Sequence, residues 1–195
     1  AISYIDYSKI KISDDNTISV PEGTELDLGA VAKGYACDKL KEFYDNEKVS
    51  CAIVSMGSSS LLYGTKPDKT KFTVEIKNPE GGQPLGLIET GQTFISTSGG
   101  YERFFEVNGE KYSHIFNLKT GFPAESDITS VTVLCDSGIK SDFLSTLIFI
   151  DDTKGLKNHL NASDYKIVVA TKDGKVYCSK GLDFVLNDGC GFVMG

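Results

Sequence analysis

Asn108-Gly109 separates two runs of alternating apolar and polar residues, 101–107 and 111–117. Both residues of the dipeptide tolerate positive φ, so it favours a two-residue turn, and the flanking runs are expected to fold back as antiparallel strands. The polar stretch 96–100 ahead of them reads as a loop. Behind them, Lys119-Thr120-Gly121-Phe122-Pro123 closes the segment as a second loop. His114, one of two histidines, falls on the returning strand. An imidazole, hydroxyls and flexible backbone are thereby gathered in one place, the material of a site that handles an oxyanion.

The remaining periodicities predict an α+β fold with mixed, largely antiparallel sheets and packed helices. Residues 4–12 alternate imperfectly and read as a strand, returned by a second over 17–20. Ala32, Tyr35, Ala36, Leu40 and Phe43 recur at helical spacing, which predicts a helix over 32–47 with those residues on its apolar face. A short buried strand at 51–55 leads into a small-residue loop, Met56-Gly57-Ser58-Ser59-Ser60. Strands follow at 72–77, 85–89, 92–96 and 130–135. Ile139, Phe143, Leu144, Leu147 and Ile148 then define the apolar side of a helix over 139–149. A second short helix over 154–160 precedes strands at 166–170 and 176–179. No linker, repeat or low-complexity tract divides residues 1–195, so they form one domain or a piece of one.

Charge and cysteine usage narrow the function classes. A formal net charge of −7 argues against a nucleic-acid partner, which needs a basic surface. A phosphate-bearing small ligand stays open, since it needs only a local nest and a lysine or a metal. The five cysteines form no CxxC pair, and their odd count cannot be fully paired within one chain. Cys51 and Cys135 lie in apolar runs, so buried free thiols and a reducing setting are expected. No apolar run is long enough to span a membrane, and no signal peptide is visible.

Three segments could carry chemistry. In Asp27-Leu-Gly-Ala-Val-Ala-Lys-Gly-Tyr35 a loop turns into a helix whose free N–H groups can hold an anion, with Lys33 in the first turn. A capped helix with a solvated lysine is the plainer reading. The segment Met56-Gly57-Ser58 lets backbone approach a ring or a phosphate, or is a plain flexible loop. In Ser141-Asp142-Phe-Leu-Ser145-Thr146, Asp142 and Thr146 stand four apart on one helical face. A hydroxyl and a carboxylate there suit Mg²⁺, which keeps waters and borrows substrate phosphates; a helix-start carboxylate beside a surface threonine is the ordinary alternative. His114 taken alone reads more readily as structural than as catalytic, and His159 reads as a solvated surface residue.

These segments occur in one order together with Thr97-Ser-Gly-Gly-Tyr-Glu-Arg-Phe, His114-Ile-Phe-Asn-Leu-Lys-Thr-Gly-Phe-Pro and Ser130-Val-Thr-Val. In that order the chain resembles the ApbE-type FAD:protein FMN transferases, formerly called thiamine-biosynthesis lipoproteins, from about residue 4 to about residue 186. The resemblance implies a flavin-transferase, T-fold-like core that splits FAD at its pyrophosphate. FMN is then attached through a phosphoester to a threonine or serine of an acceptor flavoprotein, with release of AMP and a need for Mg²⁺. It implies FAD contacts at Asp27, Lys33, Met56, Gly57, Ser58, Ile115, Thr120 and Gly121. Mg²⁺ would be held by the Ala30 carbonyl, Asp142 and Thr146 with Ser145 beside them, and His114 would activate the acceptor hydroxyl. Where the family usually has Asp-Pro, this chain has Asn117 and Leu118, which removes a carboxylate and a rigid turn. Family members run to about 300 residues, so the expectation is a flavin transferase domain lacking its N-terminal portion. The resemblance further implies an extracytoplasmic protein, lipid-anchored to the cell membrane through residues outside this chain.

Overall fold

The computed structural model describes residues 2–101, 104–107 and 109–195. Asn108 of the predicted turn, with Glu102 and Arg103, lies outside the described residues. In chain order the strands are β1 (Lys11–Ile12), β2 (Ile18–Ser19), β3 (Cys51–Met56), β4 (Ser59–Gly64), β5 (Phe72–Ile76), β6 (Gly86–Thr90), β7 (Thr93–Gly99) and β8 (Phe104–Val107). They continue as β9 (Glu110–Ser113), β10 (Phe116–Asn117), β11 (Phe122–Pro123), β12 (Ile128–Cys135), β13 (Tyr165–Thr171), β14 (Lys175–Cys178), β15 (Phe184–Leu186) and β16 (Val193–Met194). Helix α1 (Ala32–Asn46) follows β2, and α2 (Gly138–Leu160) follows β12.

The core of the fold is a seven-stranded sheet in the order β16-β14-β13-β12-β7-β4-β3, antiparallel except for the β14–β16 pair. Side chains alternate across it, as the pleat requires, apart from a register shift in β12 between Ile128 and Ser130. On one face Val131, Val133, Ile167 and Val169 pack with Leu144, Ile148 and Phe149 of α2, and Leu61, Tyr63 and Phe94 pack with Cys37 of α1. On the other face Leu62, Ile95, Leu134 and Val168 meet Phe72, Ile76, Leu85 and Ile88 around a three-stranded sheet, β15-β6-β5. Being covered on both sides, β12 is buried almost throughout. The α+β class with largely antiparallel sheets is as the sequence predicts.

Several expectations change. Residues 4–12 form two short 3-10 turns before β1, because the Asp6 carboxylate accepts from the Ser8 N–H at 3.1 Å and the Ser8 hydroxyl at 2.6 Å. Such local side-chain bonds compete with strand pairing. The stretch 96–100 is no loop: β7 continues to Gly99, with Ser96, Thr97 and Ser98 paired to β12. The loop 56–60 is a tight β3–β4 hairpin, with Met56 opposite Ser59 and Gly57 at φ 75°, the turn position that favours glycine. Strand β4 behind it was not expected. Strands β8 and β9 pair antiparallel as expected, with Val107 opposite Glu110, but β9 ends at Ser113, so His114 lies beyond the returning strand rather than on it.

The helices also turn differently from their periodicity. Tyr35 and Phe43 of α1, like Ile139 and Phe143 of α2, are exposed, while Gly34, Gly138, Ser141, Asp142 and Ser145 are buried. The cause is the helix crossing. A Cβ on Gly34 would fall inside the Gly138 carbonyl and 2.8 Å from the Asp142 Cβ, and one on Gly138 would strike the Gly34 carbonyl. Two glycines let the backbones touch, and that contact fixes which faces turn inward. The two helices predicted at 139–149 and 154–160 are one kinked α2, broken at Asp152 (φ 62°). The Asp152 carboxylate accepts from the Asp127 N–H at 2.7 Å and the Ser126 hydroxyl at 3.0 Å. Beyond the kink, His159 is not solvated: its ring is tucked against β13, with Nδ1 2.7 Å from the Tyr165 hydroxyl.

Gly34→Ala should therefore lower the denaturation midpoint, by about 1–3 kcal/mol or more for an overpacked contact between backbones. Gly155→Ala, whose added Cβ meets nothing nearer than 3.6 Å, should raise stability by up to about 1 kcal/mol, the helix-propensity gain. Urea titration of both variants checks the pair. A second expectation concerns pH. Burial works to raise the Asp152 pKa, but donation from the Thr153 and Asp127 N–H groups, then the Ser126 hydroxyl, outweighs it, so the carboxyl ends below its ordinary 3.8. A lowered folded pKa adds stability above that value and loses it as pH falls through the folded one. Asp152→Ala should be less stable than the parent at pH 7, the gap closing below pH 3.8, as read from melting at stepped pH.

Candidate functional site

The site is built where the start of α1 meets the start of α2. Helix α1 has no side-chain cap of its own at Val31, so one of its orphan N–H groups must find a partner elsewhere. Asp142 of α2 supplies it, with Oδ2 accepting from the Gly34 N–H at 2.9 Å. Its other oxygen accepts from the Ser59 hydroxyl at 3.0 Å, and the Lys33 ammonium lies 3.3 Å away. Lys33 also donates to the Gly29 carbonyl at 3.2 Å. That loop is shaped by Asp27, whose Oδ1 accepts from the Gly29 N–H at 2.7 Å, and by the Leu28 carbonyl, which accepts from Val31 and Ala32 N–H. In return Asp38 of α1 accepts from the Gly138 and Ile139 N–H groups of α2 at 2.7 and 2.9 Å. Burial, and then the charges of Asp142 and Asp38, push the Cys37 thiol above its ordinary 9.0, so it is an inert core group.

A ladder of hydroxyls continues along the seam between β7 and α2. Ser96 Oγ lies 2.9 Å from Ser141 Oγ; one step further, Ser98 Oγ lies 2.8 Å from Ser145 Oγ and 3.1 Å from Thr146 Oγ1. Ser145 Oγ in turn donates to the Asp142 carbonyl at 2.9 Å. Residues i and i+2 of β7 share a face, so Ser96 and Ser98 line it together, and Gly100 follows just past the strand end. An added Cβ there would sit 3.5 Å from the Phe149 ring and 3.7 Å from Ser113. At that end opens a cleft of about 590 Å³, walled by Tyr101, Tyr112, Phe122 and Phe149 and rimmed by Glu80, Glu125 and Lys172. His114 is exposed on the link from β9 to β10, directly after Ser113 of the cleft wall.

The structure thus brings Lys33, Asp142, Ser145 and Thr146 together, with the Asp27–Ala30 loop. The Met56-Gly57-Ser58 turn joins the same end of the sheet, the Ser58 carbonyl accepting from the Thr97 N–H at 2.8 Å. Ile115 points into the core, 7% exposed, with its carbonyl accepting from Ala124 at 2.7 Å. Thr120 and Gly121 form the exposed turn between β10 and β11, with Gly121 at φ 72°. Asn117 keeps that turn in place of a rigid Asp-Pro: its Oδ1 accepts from the Lys119 N–H at 2.9 Å and its carbonyl from the Gly121 N–H at 2.8 Å. Sequence reasoning missed Ser59, Ser98, Ser141 and Asp38 as parts of the site. Ser59 and Ser141 stand inside segments singled out for their neighbours, and the alternation of hydroxyls at 96 and 98 is invisible while that stretch is read as a loop.

Fold and site together define a sandwich of two helices on a largely antiparallel sheet, with a lysine–carboxylate–hydroxyl cluster at the helix starts. Residues 1–169 match the ApbE family, and the chain belongs to that family. It is 30% identical over 174 residues to an FAD:protein FMN transferase of Klebsiella pneumoniae, covering 86% of this chain and 53% of the relative. To one of Treponema pallidum it is 32% identical over 152 residues, covering 72% and 42%. Among solved structures, an ApbE protein of Thermotoga maritima superposes with a TM-score of 0.81 at 27% identity, covering 92% of this chain and 60% of that one. A variant of the Vibrio cholerae flavin transferase ApbE superposes with a TM-score of 0.73 at 30% identity, covering 92% and 58%. The chain spans about half the length of the curated relatives it matches.

Asp142→Ala would leave the Gly34 N–H and the Ser59 hydroxyl buried without an acceptor, at about 1–3 kcal/mol each. Asp142→Asn can still accept from Gly34 and donate to Ser59, losing the lysine alone. The alanine variant should therefore be several kcal/mol less stable than the asparagine one, by guanidinium titration.

Proposed function

We propose that the chain forms the diphosphate-handling and metal-binding part of an FAD:protein FMN transferase. The observation that carries this reading is the convergence on Asp142. A buried carboxylate, a lysine ammonium and the Gly29 carbonyl at the loop before α1 meet within one site, and the Ser145 and Thr146 hydroxyls lie one turn along the helix. Family membership and the relatives' names support the reaction itself. In it the acceptor threonine or serine oxygen bonds to the FMN phosphorus of FAD, and the bond from that phosphorus to the bridging oxygen breaks. The bridging oxygen leaves with AMP, and the hydroxyl proton passes to His114. A positioned imidazole is suited to that transfer near neutral pH.

The donor set fits Mg²⁺. Asp142, Thr146 and the Ala30 carbonyl, with Ser145 beside them, are the hard oxygens this ion prefers, and the fold already stabilises a positive charge there, that of Lys33. Bound there, Mg²⁺ would neutralise charge developing on the phosphates. Lys33 and the positive end of the α1 dipole attract the diphosphate. The FAD contacts of Asp27, Met56, Gly57, Ser58, Ile115, Thr120 and Gly121 rest on the family resemblance, as does an extracytoplasmic, lipid-anchored setting with the anchor outside these residues. The cleft beside His114 suits the acceptor segment better than a phosphate, since Glu80 and Glu125 at its rim outweigh Lys172.

Incubation with FAD, Mg²⁺ and a candidate acceptor flavoprotein tests the reading. A fluorescent, covalently flavinylated acceptor and one AMP per transfer are expected; free FMN plus AMP, or unchanged FAD, would refute it. His114→Ala should slow transfer by about 10²–10⁴-fold, the usual worth of a positioned acid–base group, and leave FAD binding intact.

A further inference from the structure

Asp142 has a demanding electrostatic position. Its side chain is 5% exposed, and its other two donors, the Gly34 N–H and the Ser59 hydroxyl, are neutral. A buried carboxylate held only by neutral groups is costly. Among the described residues Lys33 is the cation paired with it, 3.3 Å from Oδ1 and 3.5 Å from Oδ2. The same ammonium reaches the Gly29 carbonyl at 3.2 Å. A carboxylate and a loop carbonyl are also what a hard divalent ion takes. Lys33 itself is 34% exposed, so its flexible stem has an open way into water, whereas Asp142 is fixed on α2.

We infer that Lys33 is a resident counter-ion: its ammonium occupies the cation position at Asp142, and a divalent metal binds by displacing it. This rests on Asp142 being a metal ligand, but not on flavin transfer. Two positive centres against one carboxylate repel strongly at such distances, so lysine and metal occupancy exclude each other. The exchange keeps the buried carboxylate compensated in both states. It also releases an ammonium at the start of α1, where the positive end of the helix dipole favours anions. Metal binding therefore prepares the site for the phosphates that follow. A permanent Lys33–Asp142 pair, with any metal bound elsewhere, is the competing arrangement.

Mn²⁺ alone, without flavin, separates the two, with free Mn²⁺ read by electron paramagnetic resonance. If the ammonium vacates the site about one-tenth of the time, its removal should tighten binding about tenfold. Lys33→Met should show that gain, and Mg²⁺ should raise its melting temperature more than it raises the parent's. Lys33→Arg should bind Mn²⁺ more weakly than the parent, because a guanidinium grips a carboxylate through two parallel bonds. Asp142→Asn should lose binding. Equal, weaker or absent Mn²⁺ binding by a folded Lys33→Met protein would overturn the exchange. Failure of the transferase reading looks different: no flavinylated acceptor, with the Mn²⁺ series unchanged.

Discussion

Two helix starts that cap one another hold this fold in register. Asp142 on α2 accepts from the Gly34 N–H of α1, and Asp38 on α1 accepts from the Gly138 and Ile139 N–H groups of α2. Each helix start carries orphan N–H groups and the positive end of a dipole, so each welcomes a carboxylate. The Gly34 N–H is buried beyond the reach of water, while the Asp38 cap lies at a more open edge of the same crossing. The exchange works only because the backbones touch at Gly34 and Gly138. A side chain at either glycine would separate the helices and break both caps together. The crossing also sets how α2 lies on β7, and so which of its residues face the hydroxyls of that strand.

Sheet alternation does the rest. On the helix side β7 begins apolar with Phe94 and changes to Ser96 and Ser98. The opposite face stays apolar at Ile95 and then satisfies Thr97 by pairing its hydroxyl with Thr132 at 2.8 Å. The inner face of one strand therefore runs from core to polar site within three residues of the same face. Each polar group on it has a partner, as burial demands. Rigid elements, rather than loops, supply the first ligands of the proposed metal. The loops contribute at the ends: Asp27–Ala30 above Asp142, and the His114 segment beside the cleft.

What was legible in the sequence follows from what is local. The antiparallel β8–β9 pair, the span of α1, the buried strand β12 and the α+β class depend on turn chemistry and periodicity, which neighbouring residues determine. The ordered motifs name Asp142, Lys33, Ser145 and Thr146, which the structure gathers at the helix crossing. Which faces the helices bury was not legible, because exposed Tyr35 and Phe43 carry the helical period while Gly34 carries the contact. Ser96-Thr97-Ser98 reads as loop by composition; only pairing with β12 on one side and β4 on the other makes it a strand. Residues 4–12 failed in the opposite direction, since the hydrogen bonds of Asp6 to Ser8 outweigh weak alternation. His159 was misjudged because nothing in its helical neighbourhood announces the kink at Asp152.

The charge balance at Asp142 explains why such a site is hard to see by counting ligands. Among the described residues no group of three or more histidines, cysteines and acids comes together, and a search for acidic clusters passes over it. One carboxylate, a carbonyl and hydroxyls make a site whose formal charge is −1, neutral once Lys33 sits in it. A divalent ion in that place leaves an excess positive charge, and with the displaced ammonium the excess grows. Such a site holds metal weakly until an anion arrives. In the proposed reaction that anion is the diphosphate of FAD, so metal and substrate each complete the binding site of the other. A second carboxylate would hold the ion more tightly and would repel the same phosphates. The single aspartate, set between two helix starts and answered by one lysine, would favour the proposed metal most when the proposed substrate is present.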